Sequence, residues 1–253
     1  MADGLMTESH YIGQELSIFA LAVNWKRYYS ARIRPYLTGD VLEVGAGLGA
    51  NTRFLKSRAV SSWTCIEPDQ SLADQMRAGF ANDSLLSDCI VETSTTDNIG
   101  NDRRFDAILY LDVLEHIADD RAELARAARL LRPSGKIIVL APSHQWLFTA
   151  FDTAIGHHRR YNRPSMQAIA PPGCRLVSLS YLDSVGMLAS LTNRIFLRQP
   201  MPKQSQILLW DRVLVRLSRI VDQVSLHRVG KSLLAVWQLD EALEQVSPRA
   251  TAR

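Results

Sequence analysis

The chain lacks any run of about 18 uncharged apolar residues, so no membrane-spanning helix is expected. Its opening stretch, MADGLMTESH, carries no basic region followed by an apolar one, which argues against a secretory signal. Cysteine is scarce, with Cys65, Cys89 and Cys174 the only three. An odd number at no metal-like spacing excludes a closed disulfide framework and fits free thiols in a reducing compartment. A dominant charge is lacking too, because 29 basic residues face 26 acidic ones for a net charge of +3. That balance leaves no electrostatic footprint for a nucleic-acid partner. There is no Gly-x-Ser-x-Gly elbow, P-loop, Ser-His-Asp signature, internal repeat or low-complexity stretch. The expectation is a soluble cytoplasmic protein that acts on something small.

What is present is a core. With 253 residues and 47% hydrophobic composition, the chain can bury one full domain. Short Val- and Ile-rich runs alternate with helical segments: DVLEV (40–44), WTCIE (63–67), CIVET (89–93), FDAILYL (105–111) and KIIVLAP (136–142), with helices at 51–58, 69–80 and 119–131. Pro133 and Gly135 stop the last helix and turn the chain into the next strand. Repeated strand-helix-strand units with continuously apolar strands predict a parallel sheet covered on both faces. CRLVSLSYL (174–182) and KSLLAVWQL (231–239) supply two further strands. Between them, 206–224 carries Ile207, Trp210, Val213, Leu214, Leu217, Ile220, Val221 and Val224 at helical spacing, with Arg212, Arg216 and Arg219 on its other face. The ordinary reading is a helix whose apolar side packs over the sheet edge. The alternative is an interfacial helix that touches a membrane or a lipid substrate. Ahead of the first strand, 11–36 reads as helical, its Phe19, Trp25, Tyr28 and Tyr29 serving as core or cap.

VLEVGAGLGANT, residues 41–52, places Gly45, Gly47 and Gly49 directly behind a strand. Glycine lets backbone amides and a helix N-terminus approach a ligand, because no Cβ stands in the way. The same letters satisfy the dinucleotide pattern G-x-G-x-x-A, and Glu67 falls about 20 residues on, where a ribose-binding acid is expected. Two ligand classes are therefore open. Glu43 bears on the choice: a carboxylate at the lip of the loop repels a pyrophosphate and attracts an ammonium group, such as that of S-adenosylmethionine. The ribose diol of that molecule suits Glu67.

At this point the sequence resembles the class I S-adenosylmethionine-dependent methyltransferases over nearly its whole length. VLEVGAGLGANT is similar to their first motif, CIEPD to the acidic end of their second strand, FDAILYLDVLEHIADD to their fourth strand and its turn, and LLRPSGKIIVLAP to the following helix-turn-strand. The resemblance implies an α/β, Rossmann-like, doubly wound sheet of seven strands, mostly parallel with an antiparallel last strand and helices on both faces. It implies S-adenosyl-L-methionine as cofactor and S-adenosyl-L-homocysteine as product. Glu43, Gly45 and Gly47 would lie by the amino-acid part of the cofactor, Ala46, Gly49 and Asn51 would also contact the cofactor, Glu67 would hold the ribose, and Pro68 and Asp69 would flank the adenine. Thr93, Ser94 and Thr95 would contact the adenine edge, although the acid usual there is missing. Leu111, Asp112, Val113 and His116 would line the pocket, with a local helix-start role as the alternative for His116. The domain plan is a single unit: an N-terminal helical cap at 1–38, a cofactor-binding core at 39–184, a helical insertion at 185–230, the last strand at 231–239 and a tail at 240–253.

In open α/β sheets the ligand lies beyond the carboxyl ends of the strands. The segment after the fifth strand, SHQWLFTAFDTAIGHHRRYNRP, should therefore face the reacting group, and it holds three of the chain's six histidines. Methyl transfer from a sulfonium needs alignment first and a base only when the nucleophile arrives protonated. His157 is the first candidate for that base and His144 the second. Asp152 would orient an imidazole, and Arg160 and Tyr161 would grip the substrate. Each of these side chains can equally be a loop-stitching residue. No metal is expected, since His144, Asp152 and His157 offer ligand types without a compact spacing. The string DTAIGHHRRY also resembles a bacterial subgroup with a GHxRRY-type segment, whose members tend to be encoded near glycosyltransferases or natural-product enzymes. The expected activity is methylation of a small-molecule oxygen, nitrogen or carbon, on a sugar, lipid-linked or natural-product acceptor. The rival readings are a non-catalytic module that binds the same cofactor and an NAD(P)-dependent oxidoreductase.

Overall fold

A computed structural model describes residues 19–100, 102–192 and 203–241. The strands are β1 (Gly39–Val44), β2 (Val60–Glu67), β3 (Ile90–Thr93), β4 (Phe105–Leu111), β5 (Leu131–Pro142), β6 (Cys174–Leu182) and β7 (Ser232–Leu239). They form one seven-stranded sheet in the order β3-β2-β1-β4-β5-β7-β6. All neighbours pair in parallel except β7, which runs against both β5 and β6. The expected architecture is present, with the antiparallel strand inserted between its two neighbours. Alternation along the strands divides the core between the two faces. Val41, Trp63, Cys65 and Leu109 pack with Trp25, Tyr29 and Met76 on one side. Leu42, Ile66, Ile108 and Tyr110 pack with Leu124, Met166 and Trp237 on the other.

Two crossover helices start where acidic caps predict. Asp69 accepts the Leu72 N–H ahead of a helix over Gln70–Ala81, and Asp119 accepts the Ala122 N–H ahead of one over Asp120–Arg129. Elsewhere the expectations need correction. The helix expected over 51–58 is a single turn, Thr52–Leu55. The turn at 132–135 is a bulge inside β5, since Leu131 pairs with Phe105 before Lys136 pairs with Ala107. Of the helix expected over 11–36, residues before 19 lie outside the described part; α1 runs over Val23–Ile33 and gives way to a tighter turn at Arg34–Tyr36, which contains Pro35. Most of the expected tail likewise lies outside the described residues.

The insertion departs furthest from the sequence reading. A helix over Gln204–Leu209 passes through a wider π turn at Trp210–Leu214 into a helix over Val215–Val224. Ile207 and Trp210 are buried as expected, but Val213, Leu217, Ile220, Val221 and Val224 face outward. The inward side is instead lined by Asp211, Val215, Ser218 and Asp222. Tertiary hydrogen bonds explain the inversion. Ala22, at the start of α1, has no side chain able to cap, and Asp211 takes over that role by accepting the N–H groups of Asn24 (3.2 Å) and Trp25 (2.8 Å). Asp222 accepts from the Tyr28 hydroxyl at 2.7 Å and from the N–H groups of Asp183 and Ser184 at 2.7 and 3.0 Å, just beyond the carboxyl end of β6. Asp183 in turn accepts from Trp210 Nε1 at 2.7 Å and from the Ser218 hydroxyl at 2.6 Å. Buried carboxylates that satisfy buried donors outweigh the pull of an aliphatic stripe towards the core.

Candidate functional site

At the carboxyl end of β1, Gly45, Gly47 and Gly49 have φ of 62°, 58° and 70°, the left-handed region that suits glycine. Packing reinforces the choice, because a Cβ at Gly45 would lie 2.9 Å from Val113 and one at Gly49 would lie 2.5 Å from Phe80. The loop is closed by the Gly47 N–H, which donates to Glu67 Oε2 at 2.8 Å, and by the Ala46 N–H, which donates to the Ile66 carbonyl at 3.2 Å. Glu67 Oε1 accepts from the Asp69 N–H at 3.1 Å. Each carboxylate oxygen has two lone pairs, so Glu67 can hold the loop and still accept from a vicinal diol. Burial raises its pKa, against the lowering effect of those backbone bonds.

Glu43 does not sit at the lip of the loop. It is 1% exposed, beneath the loop, where Oε2 accepts from the Thr52 hydroxyl at 2.7 Å and from Trp63 Nε1 at 3.0 Å. Burial pushes its pKa up to about 7, against the lowering influence of Thr52, Trp63 and Cys65. The expected position at the lip is therefore corrected: Glu43 is buried and anchors the turn at Thr52 through Oε2. A different feature disfavours a pyrophosphate. The helix after the glycines is only Thr52–Leu55, too short to present an aligned dipole at its N-terminus. Asn51 precedes it without capping it and accepts instead from the Tyr29 hydroxyl at 2.7 Å.

Beyond β2, Pro68 and Asp69 are exposed, and the Asp69 side chain is occupied as a helix cap. Thr93 accepts from Arg77 at 3.0 Å, Ser94 donates to the Thr95 carbonyl at 3.1 Å, and Thr95 accepts from Asn98 at 3.3 Å. These three side chains are held by local bonds.

Beyond β4, Leu111 is buried and Asp112 takes a left-handed φ of 54°, which turns the chain away from the sheet. Asp112 is reached by solvent yet surrounded by protein. Desolvation raises its pKa, against the lowering fields of His157, Lys26, Lys231 and Arg160. Burial pulls the pKa of both lysines down. The sequence reading missed Lys26 and Lys231, which lie 86 and 119 residues from Asp112 along the chain and carry no local motif.

The segment after β5 gathers as a cluster. Asp152 is fully buried and accepts from Arg160 Nε at 2.7 Å and Nη2 at 3.0 Å, a bidentate pair, and from the Thr149 N–H at 2.8 Å. His157 Nδ1 lies 3.0 Å from Asp152 Oδ1. Although burial opposes ionisation of Asp152, His157 and Arg160 hold its carboxyl well below the usual range. The ionised acid orients the His157 ring through Nδ1 and places Nε2 3.8 Å from Glu115 Oε1. The His116 ring meets that of His157 edge-on at 4.5 Å, and desolvation together with His157 and His158 lowers the His116 pKa to about 4. Glu115, His116 and His157 bring ligand atoms within 4.8 Å of one another. One carboxylate and two imidazoles can hold a divalent ion, and this set differs from the His144, Asp152 and His157 considered from the sequence.

Tyr161 moves away from the chemistry, and His144 and Arg160 are held by neighbours. Tyr161 is 2% exposed, and its hydroxyl donates to Asp120 at 2.8 Å, so it is a core residue. His144 stacks on Tyr181 at 4.9 Å, with its pKa lowered chiefly by burial. Arg160 is committed to Asp152 and is not free to grip a substrate.

Residues 42–139 match the profile of a family described as methyltransferase domain. The chain is 28% identical over 150 residues to the polyketide synthase component of lovastatin nonaketide synthase from Aspergillus terreus, covering 56% of this chain and 5% of that protein. It is 29% identical over 133 residues to demethylmenaquinone methyltransferase from Tropheryma whipplei, covering 52% of this chain and 54% of that one. The chain thus spans about half the length of that methyltransferase and a small part of the synthase. Among solved structures, the N-methyltransferase NodS from Bradyrhizobium japonicum shares the fold with a TM-score of 0.54 at 13% identity, over 87% of this chain and 97% of that one. Residues 42–139 are thus similar to a methyltransferase domain, and the strand order with its single antiparallel strand between β5 and β6 goes with the fold shared with that solved methyltransferase.

Proposed function

We propose that the chain transfers a methyl group from S-adenosyl-L-methionine to an oxygen, nitrogen or carbon of a small-molecule acceptor. The observation that carries this reading is the Asp152–His157 pair (3.0 Å) beyond β5, in the field of Asp112 beyond β4. The bound cofactor supplies an electrophilic methyl on a positive sulfur. Gly47 and Glu67 would hold its amino-acid and ribose parts, consistent with a loop whose φ values and remaining acceptor capacity leave room for them. Asp152 fixes the tautomer of His157, so that Nε2 takes the proton a hydroxyl or amine acceptor must lose. Arg160 keeps Asp152 ionised. Lys26 and Lys231 favour an acceptor whose charge turns negative as it loses that proton.

One relative is named a demethylmenaquinone methyltransferase and another a polyketide synthase component, and that supports a small-molecule acceptor, including a lipid-linked, sugar or natural-product molecule. The test is incubation of the chain with extract and a methyl-labelled donor, followed by identification of the labelled product. A labelled small molecule, lost in His157→Ala, is the expected result. Binding of S-adenosyl-L-homocysteine with no label transferred to any extract fraction would favour the non-catalytic module instead.

A further inference from the structure

The outward side of the insertion is aliphatic and basic at once. Leu209, Val213, Leu217, Ile220, Val221 and Val224 are between 42% and 80% exposed. Within the helix over Val215–Val224, the last four recur three and four residues apart, as one stripe does. Arg212, Arg216 and Arg219 recur at the same spacing along an adjoining stripe, all exposed and, among the described residues, without an acidic partner. The acids of 203–229, Asp211 and Asp222, are both turned inward and buried. The outward face therefore carries cations alone. The helix cannot roll to hide its aliphatic stripe without tearing Asp222 from Tyr28, Asp183 and Ser184.

We infer that this face docks on a membrane bearing anionic lipids, its aliphatic side chains in the headgroup boundary and its arginines against phosphates. The docking face also belongs to the cleft end of the molecule. β6 is antiparallel to β7 and so runs with β5, and the insertion is tied to the carboxyl end of β6. Lys231 links the two regions, lying 3.6 Å from Asp183 and 3.8 Å above the Trp210 ring while its charge acts on Asp112. Docking would bring the cleft rim to the lipid surface.

The test is co-sedimentation of the full chain with vesicles of phosphatidylcholine alone or mixed with phosphatidylglycerol. Binding to the mixed vesicles only, reversed by salt, is expected. Converting Arg212, Arg216 and Arg219 to Gln should weaken partitioning roughly a hundredfold, at about fivefold per arginine. Leu217→Asp and Val224→Asp should abolish it with unchanged melting temperature, which shows that the variants fold. Tryptophan at Ile220 should shift its emission to the blue on the mixed vesicles. Equal binding to both vesicle types, or binding to neither, overturns the inference. So does a dimer in sedimentation equilibrium that the Asp variants dissolve, which would assign the face to a second copy of the chain.

Discussion

At the residue scale the decisive contrast lies between side chains that look alike in sequence. Glu43 stands one residue before the end of β1 and Glu67 ends β2, yet one is buried beneath the loop and the other closes it. The buried position gives Glu43 a stability signature. Its folded-state pKa of about 7 exceeds the 4.5 of the free side chain, so the folded chain binds more protons between those values. Stability should therefore fall as pH rises through that window, by about 3 kcal/mol for a shift of this size. Measuring unfolding free energies of wild type and Glu43→Gln from pH 4.5 to pH 8 checks it. The advantage of the Gln variant should grow with pH, and a flat difference would contradict the burial.

His157 and Tyr161 make a second contrast. His157→Ala should lower kcat about 10²- to 10⁴-fold if the imidazole takes a proton, with the affinity for S-adenosyl-L-homocysteine unchanged by calorimetry. Tyr161→Phe should leave turnover intact and cost about 1 kcal/mol of stability, because it removes only the hydroxyl and its bonds to Asp120 and the Leu114 carbonyl.

At the element scale the insertion is oriented by its polar residues. Asp222→Ala leaves the Tyr28 hydroxyl and two backbone N–H groups without their acceptor, and should cost about 3 kcal/mol. Val224→Ser, at a side chain 80% exposed, should stay within about 0.5 kcal/mol. Chemical denaturation of the two variants checks the assignment; a reversal of the two effects would mean that the aliphatic stripe faces the core. The same logic operates at the start of α1, where a carboxylate 187 residues away supplies the cap that the local sequence lacks.

At the scale of the whole molecule, the short turn after the glycines and the strand order favour a sulfonium nucleoside over a dinucleotide. S-adenosyl-L-homocysteine at 100 times its Kd should stabilise the fold by about 2.7 kcal/mol, whereas NAD and NADP should leave the melting temperature unchanged. A shift with NAD alone would return the chain to the oxidoreductase reading.

The strands, the glycine loop and the acid ending β2 were legible in the sequence, because alternation, glycine spacing and caps are local properties with fixed periods. The same locality explains why 206–224 could be read as an amphipathic helix but not oriented. Periodicity states that a helix has two faces, and only the groups that meet them decide which is inside. Asp222 is matched to Tyr28 across 194 residues, Asp152 holds His157 through a turn, and Lys231 reaches Asp112 by sheet topology. Such partners are brought together by folding itself, so burial of Glu43, withdrawal of Tyr161 into the core and the outward turn of the aliphatic stripe were decided only by tertiary structure.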